Sequence, residues 1–111
     1  MNTGIERRYH PRIPLIWPVI LMTHHGPITG VTSNISEGGA LILCSETIES
    51  DDEFQISLKS SKLHEMQITC EKVRSDKIIV GNSDYNVNGI HFTEIFSSDK
   101  DIIASLIENT I

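Results

Sequence analysis

Short apolar runs, each ended by turn-forming residues, constrain the fold of this chain most. Residues 16–22, 28–33, 40–44 and 54–58 are rich in Val, Ile, Leu and Phe, and polar or glycine-containing stretches separate them. The last run alternates apolar and polar residues, which is typical of a half-buried strand. Residues 40–44 are apolar throughout and predict a strand buried on both faces or lying at a sheet crossover.

The second half of the chain continues this pattern and then changes period. Residues 66–74 and 77–80 predict two further strands, residues 81–88 a polar loop, and residues 89–92 a last strand. Apolar residues then recur near helical spacing, which predicts a helix over about residues 98–109. Six or seven short strands followed by one amphipathic helix predict a mainly β protein, a small antiparallel barrel whose helix covers one opening.

Length and charge limit the classes of function. At 111 residues the chain is long enough for one domain with a core and too short for two. Its net charge of −6 argues against binding to DNA, RNA or anionic lipid, all of which favour basic surfaces. The polar N-terminus shows no signal-peptide pattern, and no apolar stretch is long enough to span a membrane. We therefore expect a cytoplasmic protein that inserts into no membrane and binds no nucleic-acid polymer.

The two cysteines do not form a recognisable metal or redox motif. Cys44 and Cys70 lie singly in apolar runs without Cys-x-x-Cys spacing, which favours reduced core thiols over the alternative of a disulfide between them. The spacing of the cysteines and histidines also matches no common zinc pattern. We expect neither a metal nor a cofactor.

Positive charge is concentrated near the N-terminus. Residues 1–12 are polar and aperiodic and predict a flexible arm. Within this arm Arg7, Arg8 and Arg12 place three guanidiniums in six residues. A guanidinium can bond two acceptors at once, whether phosphate oxygens or the O6/N7 edge of guanine. The cluster therefore indicates a small anionic ligand that offers both phosphate and guanine.

A second polar stretch follows at residues 34–39, predicted as a loop. Asn34 offers an amide and Ser36 a hydroxyl, while Gly38 and Gly39 allow positive φ or close backbone approach. Asn-x-Ser is also a common turn signal, so we expect these side chains both to form a turn and to contact the ligand. A hydrolase that uses Ser36 as nucleophile is disfavoured, since no strand–turn–helix elbow and no His/Asp partner can be assigned. The protein is not expected to be an enzyme.

The order of these two stretches resembles a known signature. The spacing Arg8-x-x-x-Arg12 followed by Asn34-x-Ser36-x-x-Gly39 is similar to the paired motif of PilZ domains, the bacterial receptors for cyclic di-GMP. The resemblance extends from about residue 7 to the C-terminal helix. It includes Val73-Arg74 and Gly89-Ile90-His91-Phe92, which look like recurring strand motifs of the family.

The resemblance implies a fold and a set of ligand residues. The fold would be a six-stranded antiparallel PilZ-type barrel with its C-terminal helix over residues 13–111, and the arm of residues 1–12 would wrap over the ligand. An arginine directly before the first motif, as Arg7 is here, implies a stacked pair of cyclic di-GMP molecules. The residues expected to bind cyclic di-GMP are Arg7, Arg8, Arg12, Asn34, Ser36, Gly38 and Gly39.

The resemblance also implies how such a protein works. A stand-alone cyclic di-GMP receptor would act in trans on a partner protein in motility, adhesion or exopolysaccharide and biofilm control. The alternative is an adaptor that works through protein contacts without nucleotide, as some PilZ-like proteins do in pilus assembly.

Overall fold

Seven strands and one helix make up the part of the chain that the computed structural model describes, residues 12–48, 53–59 and 65–110. The strands are β1 (Ile13–Pro14), β2 (Pro18–Thr23), β3 (Gly26–Ile35), β4 (Gly39–Cys44), β5 (Phe54–Lys59), β6 (Glu65–Val80) and β7 (Ser83–Glu94). The helix, α1, spans Ser97–Thr110, which confirms the helix predicted from periodicity. The predictions for residues 1–11, 49–52 and 60–64 lie outside the described residues.

The sheet closes into a barrel. Its strand order is β1-β3-β2-β5-β6-β7-β4, every pairing is antiparallel, and a further pairing joins β4 back to β3. Strands β2 to β7 therefore form a closed six-stranded barrel, and β1 is an additional short strand on β3. This architecture confirms the predicted mainly β barrel with a C-terminal helix.

The apolar side chains that face inward form one continuous core. Strand β5 shows the expected alternation, because Phe54, Ile56 and Leu58 are buried and the residues between them are more exposed. Helix α1 adds Ile103 and Ile107 to the same core. Burial of this apolar surface is the dominant favourable contribution to folding. Helix α1 is too short and too polar to cross a membrane, and the described residues contain no other helix that could do so.

Residues 15–17 are fastened to β3 through a buried hydroxyl. The Thr32 hydroxyl accepts a hydrogen bond from the Trp17 backbone N–H (2.9 Å) and donates one to the Leu15 carbonyl oxygen (2.5 Å). The Thr32 N–H donates to the Trp17 carbonyl oxygen (2.9 Å). These bonds hold the segment after β1 against β3. They therefore help to fix the position of β1, and of Arg12 just before it, along β3.

The structure corrects the predicted end of β3 and decides between the two alternatives for β4. Strand β3 continues to Ile35, so Asn34 lies on a strand and only residues 36–38 connect β3 to β4. Of the two alternatives for residues 40–44, burial on both faces is wrong, because Leu41 and Leu43 are only half-buried. They point to the outer surface of the barrel, where no further layer of the described structure covers them. The alternative of a sheet crossover agrees with the pairing of β4 to both β3 and the non-consecutive β7.

The prediction of a polar loop over residues 81–88 was also wrong. Strand β6 is one strand of 16 residues, and β7 already begins at Ser83 after a turn in which Gly81 has φ +64°. The polar residues of β7 are tolerated because their groups are paired inside the barrel. The fully buried Asn88 accepts a hydrogen bond from the Ser75 hydroxyl (2.9 Å) and donates to the Cys44 sulfur (3.3 Å).

Both cysteines are buried and free. Burial raises the pKa of the Cys44 thiol, although a hydrogen bond from Asn88 works in the opposite direction. Burial, together with the charges of Glu53 and Glu71, raises the pKa of the Cys70 thiol to about 12. These thiols are therefore poor nucleophiles at neutral pH.

Candidate functional site

A groove of about 860 Å³ on the outer surface of the barrel is lined by Asn34, Ser36 and Gly38 of the predicted second motif, whereas Gly39 is not among its lining residues. Its volume lies in the upper part of the range of small-molecule sites, about 300–1,000 Å³. Strands β1, β3, β4, β6 and β7 all contribute to it. The residues that line it are Arg12, Ile13, Pro14, Ser33, Asn34, Ser36, Gly38, Leu41, Val73, Arg74, Gly89, Ile90 and His91.

The two sequence motifs meet at one end of this groove. The Arg12 guanidinium donates a hydrogen bond from Nη1 to the Asn34 side-chain oxygen, at 3.0 Å, although the residues are 22 positions apart. The antiparallel pairing of β1 with β3, in which Pro14 is opposite Asn34, brings them together. Arg7 and Arg8, the other predicted arginines, lie outside the described residues.

A β-bulge directs the Asn34 side chain toward the groove. Thr32 points into the core, so simple alternation would point Asn34 there as well. However, Thr32 pairs with Ile42 and Asn34 pairs with Leu41, which leaves Ser33 without a partner residue on β4. This extra residue shifts the alternation by one position. As a result Ile35 is fully buried and Asn34 lies on the outer face.

Ser36 builds the turn that leads from β3 to β4. Its side chain is 1% exposed, and its hydroxyl oxygen accepts hydrogen bonds from the backbone N–H groups of Gly38 and Gly39, both at 3.2 Å. The hydroxyl also donates to the Gly39 carbonyl oxygen (3.3 Å). The turn-forming part of the expectation for Ser36 therefore has a geometric basis. Its contact with a ligand stays a prediction.

A glycine is needed at position 39 of this turn because the backbone of β7 approaches closely. A Cβ at Gly39 would overlap the carbonyl oxygen of Ile90 on β7. Of the two reasons considered for glycine here, close approach rather than positive φ applies at Gly39. At the neighbouring position, the Phe92 N–H donates to the Gly38 carbonyl oxygen (2.9 Å). The turn is thus fixed against β7, and its own N–H groups and carbonyls are oriented by that contact.

The groove includes residues that sequence reasoning did not assign to the site. Val73 and Arg74 on β6 and His91 on β7 line it, with Val73 66% exposed. They come from strands far along the chain from both motifs, and no local pattern links them to Asn34. The only signal in the sequence was their place in the strand motifs of the family resemblance. Among the described residues, no group of three or more His, Cys, Asp or Glu side chains could hold a metal ion.

Fold and groove together define a class of protein, a closed antiparallel barrel with a groove on its outer surface. At one end of this groove Arg12, just before β1, meets Asn34 near the end of β3. The chain belongs to the PilZ domain family, whose model matches residues 6–109. No curated protein matches the sequence significantly.

Solved structures share this fold at low sequence identity. The PilZ domain of YcgR from Escherichia coli, solved with c-di-GMP, is 17% identical with a TM-score of 0.71, and the alignment covers 94% of each chain. MrkH of K. pneumonia, solved as a c-di-GMP complex, is 17% identical with a TM-score of 0.79, over 94% of this chain and 52% of MrkH.

A third similar structure is that of the Bacillus subtilis inhibitor of motility MotI/DgrA, which is 15% identical with a TM-score of 0.78. The alignment covers 94% of this chain and 51% of MotI. The chain thus spans about half the length of MotI and MrkH.

Proposed function

We propose that this PilZ domain is a receptor for cyclic di-GMP and not an enzyme. The observation that carries the proposal is the hydrogen bond between Arg12 and Asn34, which unites the two halves of the signature at the end of a groove of suitable size. Structures with the same fold, YcgR and MrkH, were solved with c-di-GMP. Receptor function in this family also agrees with the buried and fully hydrogen-bonded Ser36, which is a poor nucleophile.

The ligand would be held by charge-assisted hydrogen bonds from the arginines and by contacts with the turn between β3 and β4. Arg12 would donate to a phosphate or guanine edge, and Asn34 would contact the same half of the ligand. Arg7 and Arg8 would contribute further positive charge as residues 1–12 close over the groove. Gly38 would let the ligand approach the backbone of the turn, Gly39 would keep the turn tight, and Ser36 would be an additional contact. Charge-assisted hydrogen bonds are the strongest of these interactions, so the arginines should dominate affinity.

For the stoichiometry we extend the proposal to Arg7, whose position before the first motif implies a stacked pair by the family resemblance. A stacked pair of cyclic di-GMP molecules carries four phosphate charges, and an additional guanidinium would offset part of their repulsion. We therefore expect two ligand molecules per chain, and one per chain after Arg7→Ala. Binding would change the surface that the domain presents to a partner protein in motility, adhesion or exopolysaccharide and biofilm control.

Titration calorimetry tests the proposal. Cyclic di-GMP should bind, and cyclic di-AMP, with equal charge but different bases, should bind far more weakly. Loss of one charge-assisted contact in Arg12→Ala should lower affinity about ten- to a hundredfold. Lys100→Ala, which removes an exposed cation on α1, serves as the matched control and should bind like the parent. Absence of heat with cyclic di-GMP at roughly tens of micromolar would favour the nucleotide-free adaptor instead.

A further inference from the structure

Four residues on neighbouring strands form a continuous row of paired positions across the groove. Asn34 on β3 is opposite Leu41 on β4, Leu41 is opposite Gly89 on β7, and Gly89 is opposite Arg74 on β6. Directly opposite residues of antiparallel strands point to the same face of a sheet. All four line the groove. The row therefore runs from the Arg12–Asn34 end of the site to a second polar end at Arg74.

The span and floor of the row suit an extended ligand. Adjacent strands lie about 4.8 Å apart, so three steps separate Asn34 from Arg74 by roughly 14 Å along the sheet. Between them the floor consists of a half-buried leucine and a glycine, which leaves an apolar, low surface. A planar base could lie on such a surface while polar groups at each end bind its substituents and phosphates.

A second β-bulge directs Arg74 to this face, just as the first directs Asn34. Cys70 and Lys72 are opposite the inward-facing Phe92 and Ile90, so alternation would point Arg74 inward too. The pairing then skips Val73, because Lys72 is opposite Ile90 and Arg74 is opposite Gly89. The arginine is thereby placed on the outer surface. Bulges that re-aim side chains are frequent next to functional sites.

Gly89 makes room for the Arg74 side chain. A Cβ at position 89 would lie 3.2 Å from Arg74 Cγ and 3.7 Å from its Nε. The stem of the arginine therefore lies over the backbone of β7, and Arg74 is one of the residues that line the groove. A larger residue at position 89 would push this stem away from the floor.

We propose that Arg74 is a ligand-binding residue that holds the second half of a two-fold symmetric, dianionic guanine dinucleotide, while Arg12 and Asn34 hold the first half. This inference rests on the proposed function. Cyclic di-GMP presents the same base and phosphate in two directions, and the row offers a guanidinium at each end. Arginine is the side chain best suited to either group, since its planar fork matches both phosphate oxygens and the guanine O6/N7 edge.

Calorimetry with matched variants gives the affinity test. Arg74→Gln should weaken cyclic di-GMP binding about tenfold or more, the effect of losing one charge-assisted hydrogen bond. Lys77→Gln removes the same charge from the same strand outside the groove and should change affinity less than about twofold. Equal losses in the two variants would mean that only overall charge matters, and the inference would be overturned. The same holds if Arg74→Gln binds like the parent.

Gly89→Ala provides a second variant at an independent position. The added methyl group should displace the Arg74 stem and weaken binding in the parent, but it should have much less effect in the Arg74→Gln background. An equal effect in both backgrounds would show that the methyl group acts on the ligand alone, and would contradict the placement of Arg74.

NMR separates this inference from the proposed function. The Nε–H resonance of Arg74, assigned by its loss in Arg74→Gln, should shift when cyclic di-GMP is added, together with the side-chain amide of Asn34. If the Asn34 amide shifts and the Arg74 resonance does not, the receptor proposal stands and the role of Arg74 is wrong. If neither signal moves with cyclic di-GMP in large excess over the protein, the receptor proposal itself fails.

Discussion

Ser36→Ala should destabilise the domain through the turn it builds. The Gly39 N–H is buried and would lose its acceptor, which costs about 1–3 kcal/mol. The Gly38 N–H is only partly buried and can turn to water, so its loss adds about 0.5 kcal/mol. The Gly39 carbonyl oxygen keeps its hydrogen bond from the Ser36 backbone N–H (2.8 Å) and contributes little. The expected loss in the free energy of unfolding is therefore about 2–3 kcal/mol.

Urea denaturation followed by the fluorescence of Trp17, the single tryptophan, measures this loss. With a denaturant dependence of about 1–3 kcal/mol per molar urea, the midpoint should fall by roughly 0.7–3 M. Ser45→Ala, at an exposed serine just after β4, is the control and should shift stability by less than about 0.5 kcal/mol. If Ser36→Ala lowered affinity for cyclic di-GMP but left the urea midpoint unchanged, the turn-building role of Ser36 would be refuted.

Three further predictions concern the barrel. Gly39→Ala should lower the free energy of unfolding by at least about 2 kcal/mol in urea denaturation, because the new Cβ overlaps the Ile90 carbonyl oxygen; a neutral effect would contradict that close approach. Asn88→Ala should lower the free energy of unfolding by about 2–3 kcal/mol, and with it the thermal midpoint, because the buried Asn88 side chain bonds both Ser75 and Cys44. A stabilising effect would contradict this role of Asn88. Because burial raises the pKa of Cys70 from 9.0 to about 12, the unfolded thiol ionises first, so stability should fall above pH 9. The fall attributable to this thiol is about 1.4 kcal/mol per pH unit, measured as the difference from Cys70→Ala, and parallel pH curves for the two proteins would refute it.

Local patterns were sufficient for the architecture. Alternation over residues 54–58 and the apolar runs before it correctly indicated strands, and helical spacing indicated α1. These signals are reliable because the period of apolar residues reflects which face of a strand or helix is buried. The motif spacing likewise pointed to Arg12 and Asn34 together, and the structure joins them by a hydrogen bond.

The polar part of β7 was beyond such reasoning. Asn86 and Asn88 look like loop residues because isolated asparagines favour turns. Inside the barrel they are acceptable because Ser75, Cys44 and backbone carbonyls supply partners for Asn88 from other strands. Whether a buried side-chain amide finds hydrogen-bond partners depends on residues that are distant in sequence. The local composition around the amide therefore cannot predict it.

The sequence by itself determined the barrel class, the C-terminal helix and the resemblance to the PilZ family, whose model matches residues 6–109. Only the tertiary structure decided that Asn34 and Arg74 share one face of the barrel and stand at opposite ends of one groove. The physical reason is that each is aimed by a β-bulge. A bulge is defined by the neighbouring strand, on which one residue of the bulged strand has no opposite residue. Beyond that unpaired residue, the side chains that would have pointed inward point outward.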